Sequence, residues 1–499
     1  MTKAYGELER VFRRLALLGE ASGLLQWDMA AVMPAGGAAI RGEQLAELRV
    51  IAHETLTHPR VGELLDRAER DEAGALDGWR RANLREMRRG WRHSNALPAD
   101  LVAAMSRSVS ECEMLWRDAR KANDFEGLRP KLQHVLDLVV ESARIKAAAF
   151  GVSPYDALLD EYEPGADAAS IEAVFGALAS FLPGMIEEII DRQSRGPAIL
   201  PLGGPFPAER QRALAERLMR AVGFDFEHGR LDTSHHPFCG GVPEDVRITT
   251  RWDEKDFTRG LMGVLHETGH AMYERGLPAE MRLQPAGAAR GMALHESQSL
   301  LVEMQACRSR EFVSFLAPLA AEAFGGSGPA WGVDNLHRAY TRVSRGLIRV
   351  DADEATYPCH VILRFRLERA LVAGDMDLRD LPGAWREGMR ELVGIEPPDD
   401  RDGCLQDIHW PGGAWGYFPT YTLGALAAAQ FFEAAVEATP GIPDALARGD
   451  FAPLMAWVRT HVHSRASTAS TAEIVEAATG RGLGVEAFRR HLERRYLGR

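Results

Sequence analysis

The chain has 499 residues, with 71 acidic against 59 basic side chains and a formal net charge of −12. Hydrophobic residues make up 46% and charged residues 26%, a balance that excludes general disorder. The acidic excess argues against nucleic acid as the main partner, because phosphate binding needs a net basic face.

The N-terminal tract MTKAYGELERVFRRLALLGEASG mixes acids and arginines in an amphipathic pattern and lacks the charged–apolar–small order of a signal peptide. Three- and four-residue apolar spacing predicts helices over 3–23, 60–93, 101–122, 130–150, 168–193 and 207–222. No run of about 18 uninterrupted apolar residues occurs, so no membrane partner is expected. Pro/Gly punctuation at 195–206, 324–333 and 397–419 reads as loops. Length alone allows roughly three domains, but no repeat or low-complexity tract supports cutting the chain. The expectation is one domain over 1–499, with two lobes around a cleft rather than independent modules. The five cysteines (Cys112, Cys239, Cys307, Cys359, Cys404) are odd in number and form no CxxC, which fits reduced thiols in a cytoplasmic protein.

The one clear strand signal is 246–252, with Val246, Ile248 and Trp252 on one face and Arg247, Thr249 and Arg251 on the other. The fold class expected is mostly α, with a small β-sheet.

Next along the chain comes His266-Glu267-Thr268-Gly269-His270, an HExxH sequence. On a helix, residues four apart lie about 40° apart around the axis and can aim at one ion. Asp256 is a plausible N-cap, and Gly276 followed by Pro278 is a stop signal. Phe257, Leu261, Val264, Thr268 and Met272 form an apolar stripe, with His266, His270 and Tyr273 roughly opposite. Gly263 and Gly269 leave room there for a close neighbour. Chance would supply roughly 0.04 such matches in a chain of this length and composition.

A catalytic zinc site needs a third protein ligand and leaves its fourth position open. Glu296, 26 residues after His270, allows a loop and a returning helix on which Glu296, Ser299 and Glu303 share a face. Glu296 is the favoured third ligand. A solvated helix acid, or His295 as the true ligand, are the alternatives at this point.

HETGH followed by HESQS at 295–299 resembles the carboxypeptidase Taq family of zinc metallocarboxypeptidases. WDMAAVMP at 27–34, SHHPF at 234–238, DVRITTR at 245–251, IRVDADEATY at 348–357 and DIHWPGGAWGYFPTYTLG at 407–424 look like the same family. The resemblance implies His266, His270 and Glu296 as metal ligands and Glu267 as catalytic base. It also implies Arg247 and Arg349 as the motif arginines. The implied fold is a largely helical, single-domain peptidase with a deep cleft, the sheet beside the zinc helix, usually homodimeric. Val302 departs from the pattern, since many relatives carry tryptophan there.

Peptide hydrolysis then assigns further roles. An oxyanion needs a neutral donor beside the metal. His236 and Tyr421 are favoured, with Tyr417 also on the loop. A free terminal carboxylate suits the planar arginine fork, which makes Arg349 and Arg247 the candidates. The alternative for Arg349 is a structural ion pair with Asp351 or Asp353, and for Arg247 a solvated strand arginine. His53, His134, His409 and His461 read as ordinary satisfied groups. The expected function is a carboxypeptidase of broad specificity acting on peptides with a free C-terminus. Its cofactor would be Zn2+, with Co2+ as the substitute metal. The rivals are a zinc oligopeptidase cutting internal bonds and a non-catalytic metal-binding scaffold; intact Glu267 argues against the latter.

Overall fold

The computed structural model describes residues 3–499. Among the described residues the fold is mostly helical, with one three-stranded sheet. Lys3–Ala31 pairs with Ala38–Thr57, and its first turns (Ala4, Tyr5, Leu8, Phe12) build a small apolar core with Val61, Leu64, Leu65, Leu84 and Met87. The tract 60–93 is not one helix. It breaks after Pro59–Arg67 into short π and 3-10 turns at 68–75 and restarts at Gly78–Ala96, because Gly74 and the Asp77 N-cap interrupt the periodicity. The helices expected at 101–122, 168–193 and 207–222 form as Ala99–Ala122, Ala168–Ser194 and Ala208–Val222.

Ala168–Ser194 is long and apolar enough to cross a membrane on length and composition alone. Here Ile171, Phe175, Leu178, Leu182 and Ile186 enter the core beside Tyr357–Ala373 and Leu381–Leu392.

Two strands join the expected one. β1 (Gly229–Thr233), β2 (Phe238–Val242) and β3 (Asp245–Thr250) lie in the order β1-β3-β2, with β1 parallel and β2 antiparallel to β3. Ile248 sits opposite Leu231 and Cys239, and Val246 opposite Gly229 and Gly241. Gly241 is in the left-handed region (φ 90°), and a Cβ there would come within 2.1 Å of the Asp245 carbonyl. Two glycines in five residues hide β2 from a strand-propensity reading.

Two large apolar cores lie on either side of the helix Pro419–Ala438. Its Leu423, Leu426 and Ala429 belong to one, with Tyr357–Ala373 and the tryptophans Trp385, Trp410 and Trp415. Its Ala427, Ala428, Phe431 and Ala435 belong to the other, with the sheet, Phe257–Gly276 and Arg310–Phe324. Alanine and glycine along this helix let both neighbours approach closely.

Candidate metal centre

The HExxH helix runs Phe257–Gly276, starting where the Asp256 carboxylate accepts the Thr258 backbone N–H at 2.9 Å. Phe257, Leu261, Val264, Thr268 and Met272 are all buried, so the apolar stripe anchors the helix in the core. The chain returns as Met292–Leu300, which carries HESQS and crosses the first helix at backbone contact. A Cβ on Gly269 would meet the Gln298 carbonyl at 2.5 Å. Buried Glu163 accepts the Ala293 N–H at 2.8 Å, so a carboxylate caps the start of this second helix.

The crossing brings His266, His270 and Glu296 together, with one donor atom from each within 4.8 Å of the others. Glu296 lies 3.9 Å from His266 Nε2 and 3.6 Å from His270 Nε2. Two imidazoles and one carboxylate are a donor set suited to a divalent transition metal. His266 Nδ1 is 2.9 Å from Glu303, which takes a 2.6 Å hydrogen bond from Arg308. His270 Nδ1 is 2.6 Å from His295 Nδ1, and His295 Nε2 is 2.9 Å from Glu274. Both Nδ1 atoms are therefore engaged away from Glu296, which leaves both Nε2 atoms for an ion. His295 is the partner of a donor and stands outside the cluster.

Glu303 lies in a π-helical segment, Leu301–Cys307, that continues the HESQS helix and turns it back toward His266. Val302 is buried in that segment among the core residues behind it.

The charges follow this geometry. Burial alone would depress His266, but Glu296 and Glu303 beside it bring it up to about 10. Burial, with His295 and His266 adding to it, pushes His270 well below the ordinary imidazole value. Burial raises Glu296 and pushes Glu267 up to about 7, against the pull of His266. The Cys239 backbone on β2 acts against that rise at Glu267.

Arg349 is buried, but its partner is not Asp351 or Asp353. Its Nε and Nη2 reach Asp407 Oδ1 at 3.0 and 2.8 Å, and its Nη1 reaches the Tyr357 hydroxyl at 2.8 Å. Asp351 pairs instead with Arg259, and Asp353 accepts backbone N–H groups of Ser344, Ala355 and Thr356. Arg364 Nε reaches the other Asp407 oxygen at 2.7 Å. One buried carboxylate thus faces two guanidinium groups. Burial would raise Asp407, yet Arg364 and Arg349 hold it well below the carboxylate range. Arg247 is half-buried: Asp245 binds its guanidinium at 2.6 Å, and it lies 4.7 Å above the Trp27 ring.

Tyr421 stands 4.9 Å from the Arg349 guanidinium, with its hydroxyl 3.1 Å from His409 Nε2 and its ring 5.2 Å from Tyr417. Burial raises Tyr357, Tyr417 and Tyr421, and Glu296 adds to each, which puts all three within electrostatic reach of the donor cluster. His236 is exposed in the β1–β2 connection, edge-on to His235 at 4.7 Å. His409 is no ordinary histidine. Its Nδ1 is buried without a hydrogen-bond partner, and burial together with Arg349 brings it down to about 4. Asp407 and His409 both lie in the block 407–424, a signal a residue-by-residue reading passed over in favour of tyrosines and arginines.

A family model for carboxypeptidase Taq (M32) metallopeptidases matches residues 7–496. The chain is 39% identical over 503 residues to thermostable carboxypeptidase 1 of Thermus thermophilus, covering 99% of this chain and 98% of that one. It is 31% identical over 488 residues to carboxypeptidase 1 of Bacillus subtilis, covering 97% and 96%. Among solved structures it is similar to Trypanosoma cruzi metallocarboxypeptidase 1, with a TM-score of 0.97, 42% identity and 99% of both chains covered. It is also similar to the M32 carboxypeptidase from Deinococcus radiodurans R1, with a TM-score of 0.93, 36% identity and 99% and 98% covered.

Proposed function

The chain belongs to the carboxypeptidase Taq (M32) metallopeptidases, and from that premise we propose that it is a zinc-dependent carboxypeptidase of broad specificity acting in the cytoplasm, as a homodimer. Membership makes it a peptide-bond hydrolase that uses a metal ion. The observation that carries the finer reading is the convergence of His266, His270 and Glu296 donors within 4.8 Å. Their two-nitrogen, one-oxygen chemistry favours zinc, with cobalt able to substitute. Zinc held there would polarise the scissile carbonyl and make water a stronger nucleophile at neutral pH.

The chain's own groups do the rest. Glu267, beside His266 but outside the donor set, takes the proton of the attacking water and returns it to the leaving nitrogen. A tyrosine hydroxyl from the Tyr421 side meets the oxyanion, with His236 as the donor from the β2 side.

Substrate selection rests on charge. Arg349 and Arg364 share the single carboxylate of Asp407, so this cluster has one more guanidinium than carboxylate in a desolvated place. That surplus draws a free terminal carboxylate toward Arg349. Arg247 stands on the central strand β3, both of whose edges are taken by β1 and β2, so its role toward the peptide is that of a side chain held by Asp245 rather than of a strand edge.

The deciding experiment incubates one free-acid peptide and its C-terminal amide with the protein, with and without chelator, and follows masses over time. The expected result is a ladder of single-residue losses from the acid only, abolished by chelator. Internal fragments appearing first would overturn the reading.

A further inference from the structure

We propose that His295 and Glu274 form a relay behind His270 that fixes which of its nitrogens faces the metal. His295 would then be a positioning residue, acting through His270. The inference rests on the reading of His270 as a ligand.

The argument begins with the 2.6 Å separation of His270 Nδ1 and His295 Nδ1. At that distance one of the two nitrogens carries the proton and the other accepts it, since two protons would collide and two lone pairs would repel. His270 Nε2, 3.6 Å from Glu296 in the donor cluster, needs its lone pair free to bind an ion. The proton of a neutral His270 is therefore on Nδ1, and His295 Nδ1 is the bare acceptor. A neutral His295 then carries its own proton on Nε2, where Glu274 Oε1 accepts it at 2.9 Å. Each proton position follows from the one before. Glu274, at the solvent end, sets the direction of the whole chain.

The surroundings keep the relay in line. The Tyr273 ring meets His295 at 5.3 Å and 70°, edge to face, and the Tyr273 hydroxyl is itself held by the Arg290 N–H at 3.1 Å. The side chains of His270, His295 and Glu274 are 12%, 18% and 28% exposed, so exposure rises outward along the relay.

The two imidazoles of the cluster are thus supported differently. His266 leans on Glu303, whose charge Arg308 balances. His270 leans on a neutral ring whose orientation depends on an acid one step further out. Outer partners of this kind typically change metal affinity by about 10–100-fold.

The test measures zinc dissociation constants by competition with a chromophoric chelator, alongside thermal melting of the metal-free proteins. His295→Ala is expected to weaken zinc by about 10–100-fold. His295→Asn, whose side-chain oxygen takes the place of Nδ1 as acceptor, should restore most of that loss. Glu274→Gln should weaken zinc several-fold in the wild-type background and be silent beside His295→Ala, because it acts only through that ring. Equal losses for the Ala and Asn variants, or a Glu274→Gln penalty of the same size in both backgrounds, would overturn the relay. His270→Ala separates the two readings. If it leaves zinc affinity unchanged, the ligand assignment is wrong; if it abolishes binding while His295→Ala does not weaken it, only the relay is wrong.

Discussion

Gly424 lies directly against Glu296: a Cβ at position 424 would come within 2.8 Å of the Glu296 Cβ and 2.9 Å of its Cγ. The third donor of the cluster is held from behind by a missing side chain. Gly424→Ala should therefore push Glu296 out of line, at a stability cost of about 1–3 kcal/mol typical of overpacking. Zinc affinity should fall while secondary structure is kept. Circular dichroism with a zinc titration checks this, and unchanged affinity would show that Glu296 tolerates displacement.

His266→Ala, His270→Ala and Glu296→Ala should each lose bound zinc and activity together. Metal analysis after gel filtration reads the outcome. A Glu296→Ala protein with a full equivalent of zinc and normal turnover would remove Glu296 from the donor set.

Glu267→Gln keeps the shape of the side chain and removes the base. Zinc content should stay near wild type while kcat falls by about two to four decades, the usual size of a general-base contribution. Full activity would sink the proton-transfer role and leave the metal site standing.

Arg349→Ala should depress cleavage of a free-acid peptide strongly and of its amide little, collapsing the preference between them. Losing a charged pair at a desolvated site costs on the order of 2–5 kcal/mol. Steady-state kinetics on both substrates measures it. The variant also leaves Asp407 with one guanidinium instead of two, so its melting temperature belongs in the same experiment.

Glu368 gives a pH prediction free of the metal. It is fully buried and accepts from Tyr155 Oη at 2.7 Å, Trp410 Nε1 at 2.8 Å and the Gly416 N–H at 3.2 Å. Burial raises its carboxyl from 4.5 to about 7, against those three hydrogen bonds and Arg364. The native state then binds this proton more tightly than the unfolded chain. Its stabilising effect is complete below about pH 4.5 and is lost as pH rises through about 7. Denaturant melts across that range should show wild type losing about 3 kcal/mol relative to Glu368→Gln. A wild-type-minus-variant difference that stays constant with pH would refute it.

Much of this was legible in the sequence because it depends on local spacing. The HExxH helix, its Asp256 cap, its Gly276 stop and the returning HESQS helix all follow from short-range patterns, and the structure places them as expected. The family resemblance likewise agrees with the matched family and the helical fold. What the pattern could not carry was long-range pairing. Arg349 finds Asp407, 58 residues away, rather than the acids two and four residues along. Strand β2 was hidden by its glycines, and the break at 68–75 by helix-compatible composition. His409 looked ordinary because its empty Nδ1 is a property of packing, which no spacing encodes.

The helix Pro419–Ala438 closes one core with Leu423, Leu426 and Ala429 and the other with Ala427, Ala428, Phe431 and Ala435. This limits how such chains can recombine. A chimera that takes one core from one relative and the other core from a second has to split this helix between two parents by face, which a single crossover in a linear gene cannot do. Exchange between relatives is then confined to blocks that leave both faces of 419–438 matched to their neighbours, and the residue contacting Glu296 travels with them.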